Sequence, residues 1–433
     1  MPTICSRIAK SLLTLCAAAV LFIADGTAMA CTGITFSAPM EGAGSALRTF
    51  AGRTMEFGPD VAYWKLMYVP QGFVYDSCRL TSLDSSVLDT CIREIDNNPE
   101  KTESVKGYNW PVKYGYVGFT PMRLVKKPRS EGEKFEYNLT EINDGINSQG
   151  LYCGGLYHMG FETYSNMPSN LLGQNNISNM DFVGWVLGQF STVEEVEKGL
   201  NNVVVRMFDV SLLKKPFKDP TKMPHLHYHV VDKSGKAIVI EFVNGKAKVF
   251  PSVGAITNNP TYDWQVMNLR NYVGLQTKNF TGTSFMGSPY TMLSNGTGGI
   301  GLPGDFTSTS RFIRAMYFLN ATVTNNTIRT SDEAIARSFK ILNQFDIPEG
   351  SVVETSPTDP AVITTKEATS WTSMADLSNL RYYYHTMLNR TVRMVDLNEL
   401  LKIPATRPVM IELPQNELIV DETGSFTLLR SGK

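Results

Sequence analysis

The peptide AMACTGITF, residues 28–36, holds the side chain with the most chemistry to offer. Cys31 directly follows Ala28-Met29-Ala30, a small-x-small tripeptide at the foot of an apolar segment. Cleavage after Ala30 would leave Cys31 first in the chain, with a thiol and an α-amine on one residue. Such an amine titrates at about 8 and a thiol at about 8.5, so near neutral pH a proton passes between them, directly or through one water. Nucleophile and base are then supplied together, without a histidine. A neighbouring cation favours the thiolate further. Arg53, in GRTMEF, offers one on what the pattern gives as the next strand, and Glu56, three residues on, is placed to orient the amine. Acyl transfer also needs donors aimed at the developing oxyanion. Spacing alone does not place those donors.

Positioning these groups requires a processed chain and a large fold. MPTICSRIAK carries Arg7 and Lys10, SLLTLCAAAVLFIA is uncharged and apolar, and DGTAMA ends in A-x-A. Together they predict a cleaved secretory leader over residues 1–30 and a mature domain over residues 31–433. The apolar run from Ser11 to Ala24 falls short of the roughly twenty residues that span a bilayer. No later stretch is apolar enough, so the expectation is an exported protein, periplasmic or secreted, with no integral membrane segment. A lipoprotein also begins at a cysteine, and lipidation would block both thiol and amine. Its processing site normally carries Leu or a similar residue three positions before the cysteine, where this chain has Ala28.

The 433 residues contain 40 basic and 41 acidic side chains, a net charge of −1. That balance excludes a nucleic-acid partner recognised by bulk charge. Hydrophobic content of 42% supports a substantial core. Of six cysteines, Cys5 and Cys16 belong to the leader. Cys78 and Cys91 lie in a polar stretch and suit a disulfide in an oxidising compartment, although spacing does not establish the pairing.

Strand-like segments come first: CTGITF, LRTFAGRTMEF and YWKLMYVP. DGINSQG makes a turn before LYCGGLYHMG, and helical periodicity follows in MDFVGWVLGQF and VEEVEKGL. HLHYHVVD, AIVIEFV and AKVFPSVGAIT, joined through KSGK and NGK turns, predict a meander. Helices return in STSRFIRAMYFL and in SDEAIARSFKILNQF, the latter with Ser331 as its N-cap. The C-terminal segments SWTSMADLSNLRYYYHTM, TVRMVDLNEL and PVMIEL are mostly strand-like. This alternation predicts an α+β fold of two facing, mainly antiparallel sheets with helix pairs outside.

Cys31 after its leader, followed in order by GRTMEFG, DGINSQGL, TNNPTYDWQVMNLRNY and LPGDFTSTSRF, resembles the choloylglycine hydrolase family, which contains conjugated bile salt hydrolases and penicillin V acylases. The resemblance runs from Cys31 to roughly Leu413. It implies the four-layer αββα N-terminal nucleophile fold and cofactor-free, metal-free hydrolysis of a linear amide through a thioester. Carried over by residue, Cys31 matches the nucleophile, Arg53 the arginine beside the thiol, Asn258 an oxyanion-hole asparagine and Arg311 an arginine supporting the centre. Tyr157 stands where bile salt hydrolases typically have Asn and penicillin V acylases Tyr, which favours an acylase with Tyr157 beside the oxyanion. Glu56 replaces the Asp common at its position, so its carboxylate sits one methylene further out. The implied partner is a small amphiphilic N-acyl amide: penicillin V, an acyl homoserine lactone or, as the rival substrate, a bile acid conjugate. A non-catalytic surface scaffold of the same fold is the non-enzymatic alternative, and homo-oligomer formation is left open.

Phe57, Tyr63 and Trp64 follow the Arg53 strand and are candidates for an apolar acyl pocket, with plain core packing as the competing role. His225, His227 and His229 alternate in HLHYHV and share one strand face. Successive same-face positions are about 7 Å apart, too far to converge on one ion without help from other strands.

Overall fold

The computed structural model describes residues 30–41, 47–56, 64–77, 92–93, 104–105, 108–121, 141–165, 175–207, 225–356, 358–414 and 416. The predicted leader apart from Ala30, the Cys78–Cys91 pairing, Phe57 and Tyr63 lie outside the described residues.

Two sheets carry the architecture. In chain order their strands begin with β1 (Gly33–Pro39), β2 (Leu47–Glu56), β3 (Lys65–Val69) and β4 (Tyr116–Thr120). Next come β5 (Asp144–Asn147), β6 (Leu151–Tyr157), β7 (Leu226–Asp232), β8 (Ala237–Val243) and β9 (Lys246–Pro251). The last are β10 (Ala255–Ile256), β11 (Thr369–Asp376), β12 (Arg381–Thr386), β13 (Arg393–Asp396) and β14 (Val409–Glu412). One sheet has six strands in the order β10-β1-β2-β11-β12-β13, and the other has eight in the order β9-β8-β7-β6-β5-β4-β3-β14. Every pairing within both is antiparallel.

The helices fall on the two outer faces. Phe182–Gln189 (α1) and Val193–Gly199 (α2) pack on the eight-stranded sheet. After Tyr262–Asn268 (α3), the long helices Ser308–Asn325 (α4) and Ser331–Leu342 (α5) pack on the six-stranded sheet. The order helix, sheet, sheet, helix is the predicted αββα arrangement. Thr330, not Ser331, caps α5, its side chain accepting from the Glu333 amide. Both are hydroxyl residues, and only backbone conformation separates the cap from the first helical position.

Strand alternation builds two cores. Leu66 and Tyr68 of β3 enter the cluster between the sheets, while Met67 and Val69 enter the cluster beneath α1 and α2. Tyr152 and Cys153 of β6 divide the same way. That is the period-two pattern of a sheet covered on both faces. At Gly52 a Cβ would lie 2.3 Å from the Ser373 carbonyl oxygen. Glycine there lets β2 and β11 close up immediately before Arg53.

The space between the sheets is not wholly apolar. Asp144 of β5 accepts from Ser373 Oγ at 2.6 Å, Tyr382 Oη at 2.6 Å and Tyr152 Oη at 3.4 Å. Ser373 and Tyr382 belong to the opposite sheet, so this buried carboxylate pins the two sheets together.

Candidate active site

Four of the residues singled out by sequence converge at the start of β1. Cys31 is 2% exposed, and its Sγ accepts from Arg53 Nη2 at 2.8 Å. Arg53 reaches it because β1 and β2 pair antiparallel with Gly33 opposite Arg53. The same guanidinium donates to the Gly155 carbonyl of β6 and, from Nε, to the Thr54 carbonyl at 3.1 Å. It also lies 5.6 Å from the centre of the Trp371 ring. Fully buried, it is held by oxygen, sulfur and an aromatic face.

The nitrogen side of Cys31 is equally ordered. In the described chain Cys31 is joined to Ala30 by a peptide bond, and its N–H donates to Asn258 Oδ1 at 2.7 Å. That oxygen also accepts from Arg311 Nη2 at 2.7 Å. Asn258 Nδ2 donates to the Tyr157 carbonyl at 2.7 Å, using one of its two hydrogens. The second can serve an oxyanion formed at the thiol. Arg311 projects from the first turn of α4, where its Nη1 meets the Cys31 carbonyl and, at 2.8 Å, Thr32 Oγ1. Helix α4 starts there because Thr307 caps it, accepting from the Ser310 amide.

The electrostatics set the resting state of the thiol. Burial pushes the Cys31 thiol above its ordinary range, and the Arg53 guanidinium opposes that shift. Burial is the larger effect, so the resting sulfur is protonated and needs a base to attack. Glu56 is 1% exposed, and burial raises its carboxyl to about 8 against the pull of Arg311. Its Oε1 accepts from Thr369 Oγ1 at 3.0 Å, while Oε2 has no hydrogen-bond partner among the described residues. An unfilled acceptor on a buried carboxyl is suited to receive an ammonium group.

Tyr157 enters the site through its backbone carbonyl, while its hydroxyl donates to Met159 Sδ at 3.0 Å. Trp64 is 2% exposed and packs edge-on to Trp371 at 5.4 Å, within the core that backs Arg53. The three histidines do not act as a set. His229 Nε2 pairs with Ser252 Oγ at 3.1 Å, whereas His227 Nε2 meets the Thr257 carbonyl at 2.8 Å. Across the strands His227 joins His158 and Glu241, two residues that the alternation of HLHYHV did not reveal. Among the described residues no helix is long and apolar enough to cross a membrane.

The model for linear amide C–N hydrolases of the choloylglycine hydrolase family matches residues 132–406. A bile salt hydrolase/transferase of Clostridium perfringens is 35% identical over 257 residues, covering 59% of this chain and 72% of the relative. A penicillin V acylase of Pectobacterium atrosepticum is 24% identical over 305 residues, covering 67% of this chain and 68% of the relative. Among solved structures, a mutant conjugated bile acid hydrolase from Clostridium perfringens superposes with a TM-score of 0.66 at 26% identity, over 90% of this chain and 99% of the other.

Proposed function

The chain belongs to the choloylglycine hydrolase family of linear amide C–N hydrolases, and on that premise we propose that it is an exported N-terminal-cysteine enzyme that hydrolyses conjugated bile salts. The observation that carries the mechanism is the Cys31 sulfur held 2.8 Å from Arg53, with Asn258 on the other side of the same residue. The substrate class is supported by the relatives: the match to the bile salt hydrolase/transferase is 35% identical, against 24% for the penicillin V acylase.

Removal of residues 1–30 turns the Cys31 peptide nitrogen into an α-amine. The amine accepts the thiol proton as sulfur adds to the amide carbonyl carbon, and a tetrahedral oxyanion forms. The free Asn258 Nδ2 hydrogen donates to that oxyanion. Collapse breaks the C–N bond, and the ammonium returns its proton to the departing amine. Water then adds to the thioester, with the amine again as base, and the acid leaves as the thiol is restored. Arg53 steadies the sulfur's negative charge in both halves, and the unfilled Glu56 oxygen steadies the ammonium.

Tyr157 favours a second reading, a penicillin V or acyl homoserine lactone acylase. It matches the acylase residue of the resemblance, while its hydroxyl engages Met159. Of the proposed acyl-pocket residues, Phe57 and Tyr63 lie outside the described residues, and Trp64 is a core residue packed against Trp371.

The test is intact-mass analysis of the exported protein, followed by turnover of glycocholate and penicillin V side by side. A chain starting at unmodified Cys31 with faster glycocholate cleavage is the expected result. Faster penicillin V cleavage moves the assignment to the acylase. A lipidated Cys31, or a different start, removes the mechanism and leaves the non-catalytic scaffold.

A further inference from the structure

Adjoining Asn258 through the neighbouring Thr257 carbonyl lies a second group of buried polar side chains with no part in the mechanism above. His158 Nε2, His227 Nδ1 and a Glu241 carboxylate oxygen all lie within 4.8 Å of one another, and all three residues are buried. His158 Nε2, His227 Nδ1 and Glu241 Oε2 have no hydrogen-bond partner among the described residues.

Two imidazoles and a carboxylate are a common metal set, but their orientation does not suit one ion. The His158 and His227 rings are stacked 4.2 Å apart and tilted by only 4°. An imidazole lone pair lies in its ring plane, so one ion at about 2.1 Å from each nitrogen would have to occupy both planes. Parallel planes share no such point. The group must be understood by what it grips.

It grips one segment at two points, with the His158 ring stacked on the ring that makes one of them. His227 Nε2 donates to the Thr257 carbonyl at 2.8 Å, which also fixes the proton on that nitrogen. Glu241 Oε1 accepts from the Tyr262 amide at 2.6 Å. Asn258 sits inside this segment, and its Nδ2 donates to Tyr157, the residue before His158. The stacked rings therefore brace both backbone supports of the Asn258 carboxamide. Glu162 holds His158 from behind, at 2.7 Å from Nδ1. Burial lowers both imidazoles and raises Glu162 to about 9, so near neutral pH the assembly works through hydrogen bonds, not ion pairs.

We propose that His158, His227 and Glu241 are positioning residues for the amide hydrolysis: they hold the segment 257–262 and set the Asn258 carboxamide where the oxyanion forms. The proposal rests on Asn258 being the oxyanion donor. A misplaced donor weakens stabilisation of the transition state and leaves the nucleophile intact.

The experiment uses p-nitrophenyl acetate, an activated acyl donor whose reaction at Cys31 does not depend on the natural acyl group. Single-turnover acylation is measured for wild type, His227→Ala, His227→Gln, Asn258→Ala and the His227→Ala/Asn258→Ala double variant. Iodoacetamide alkylation of Cys31 and thermal unfolding are followed in parallel. The expected result is an acylation constant at least about tenfold lower in His227→Ala, with substrate affinity and alkylation unchanged. His227→Gln keeps an N–H donor near Nε2 and should recover to within about threefold. The double variant should be no slower than Asn258→Ala, because both changes remove one function. Wild-type acylation by His227→Ala, or losses that simply multiply in the double variant, would overturn the proposal. If His227→Ala does not fold, a folded His227→Gln that acylates as slowly as Asn258→Ala overturns it equally. Failure to cleave glycocholate would count against the substrate assignment alone.

Discussion

Replacing Arg53 with methionine isolates what its charge does for Cys31. The guanidinium Nη2 lies 2.8 Å from the sulfur. At that distance, with an effective dielectric of about 20, a full thiolate and a cation attract by about 6 kcal/mol. Burial opposes this and wins, because the thiol sits above its ordinary value even with Arg53 present. Arg53→Met removes the largest opposition to burial and leaves only the Glu56 backbone hydrogen bond and the Arg311 charge against it. The thiol should rise by at least about one pH unit, equivalent to about 1.4 kcal/mol. Acylation near pH 7 should fall at least about tenfold, with the 6 kcal/mol attraction as the ceiling. The substitution also strands the Gly155 and Thr54 carbonyls that Arg53 now serves, so unfolding must be measured alongside. The assay is the pH dependence of iodoacetamide alkylation at Cys31, read by mass. A folded Arg53→Met protein whose alkylation midpoint moves by less than about 0.3 units would refute the electrostatic account.

Other substitutions separate residues that act on the chemistry from those that support it. Tyr157→Phe should keep kcat within about threefold, since the carbonyl that serves Asn258 is unchanged; a loss of tenfold or more in steady-state turnover would give the hydroxyl a direct role. Asp144→Ala should lower stability by about 3–5 kcal/mol in urea unfolding, because Ser373, Tyr382 and Tyr152 lose a shared buried acceptor. Glu56 gives a pH signature in the chain that retains Ala30. Its carboxyl is raised to about 8 in the folded protein, so its contribution is complete below pH ~4.5 and is lost as pH rises towards 8. Glu56→Gln should flatten that decline, by at most about 5 kcal/mol across the window; parallel stability–pH curves for the two proteins would exclude the assignment.

The residues that the structure gathers at Cys31 are those tied by local pattern. GRTMEF alternates as a strand, and antiparallel pairing through β1 then puts Arg53 opposite Gly33, beside Cys31. SRF sits at a helix start, and a capped α4 aims Arg311 at the same point. TNNPTYDWQVMNLRNY marked Asn258 as a motif but concealed the helix Tyr262–Asn268 that follows it. Asp144, Ser373 and Tyr382 were illegible for a different reason. Each is an ordinary polar residue of a strand, and only stacking of the two sheets makes them one hydrogen-bonded group. His158 and Glu241 share this property, lying on segments that meet His227 only once β6, β7 and β8 are laid side by side.

The buried state of the thiol explains why a cysteine of this kind needs its own amine. A solvated thiol beside a guanidinium would ionise readily and react with any electrophile. At Cys31 burial outweighs Arg53, so the sulfur stays protonated until a base relieves it. The histidines offer no such base. His227 donates from Nε2 to Thr257 and His229 pairs with Ser252, while burial drives both far from protonation, His229 to about 3. Glu56 is itself neutral over much of the range, being raised to about 8, so it does not serve as that base either. On the function proposed above, an α-amine released at Cys31 supplies the missing base. It would take the thiol proton and, once charged, would draw Glu56 towards its ionised form. A chain still carrying Ala30 should then acylate slowly in single-turnover assay even with every other residue of the site in place.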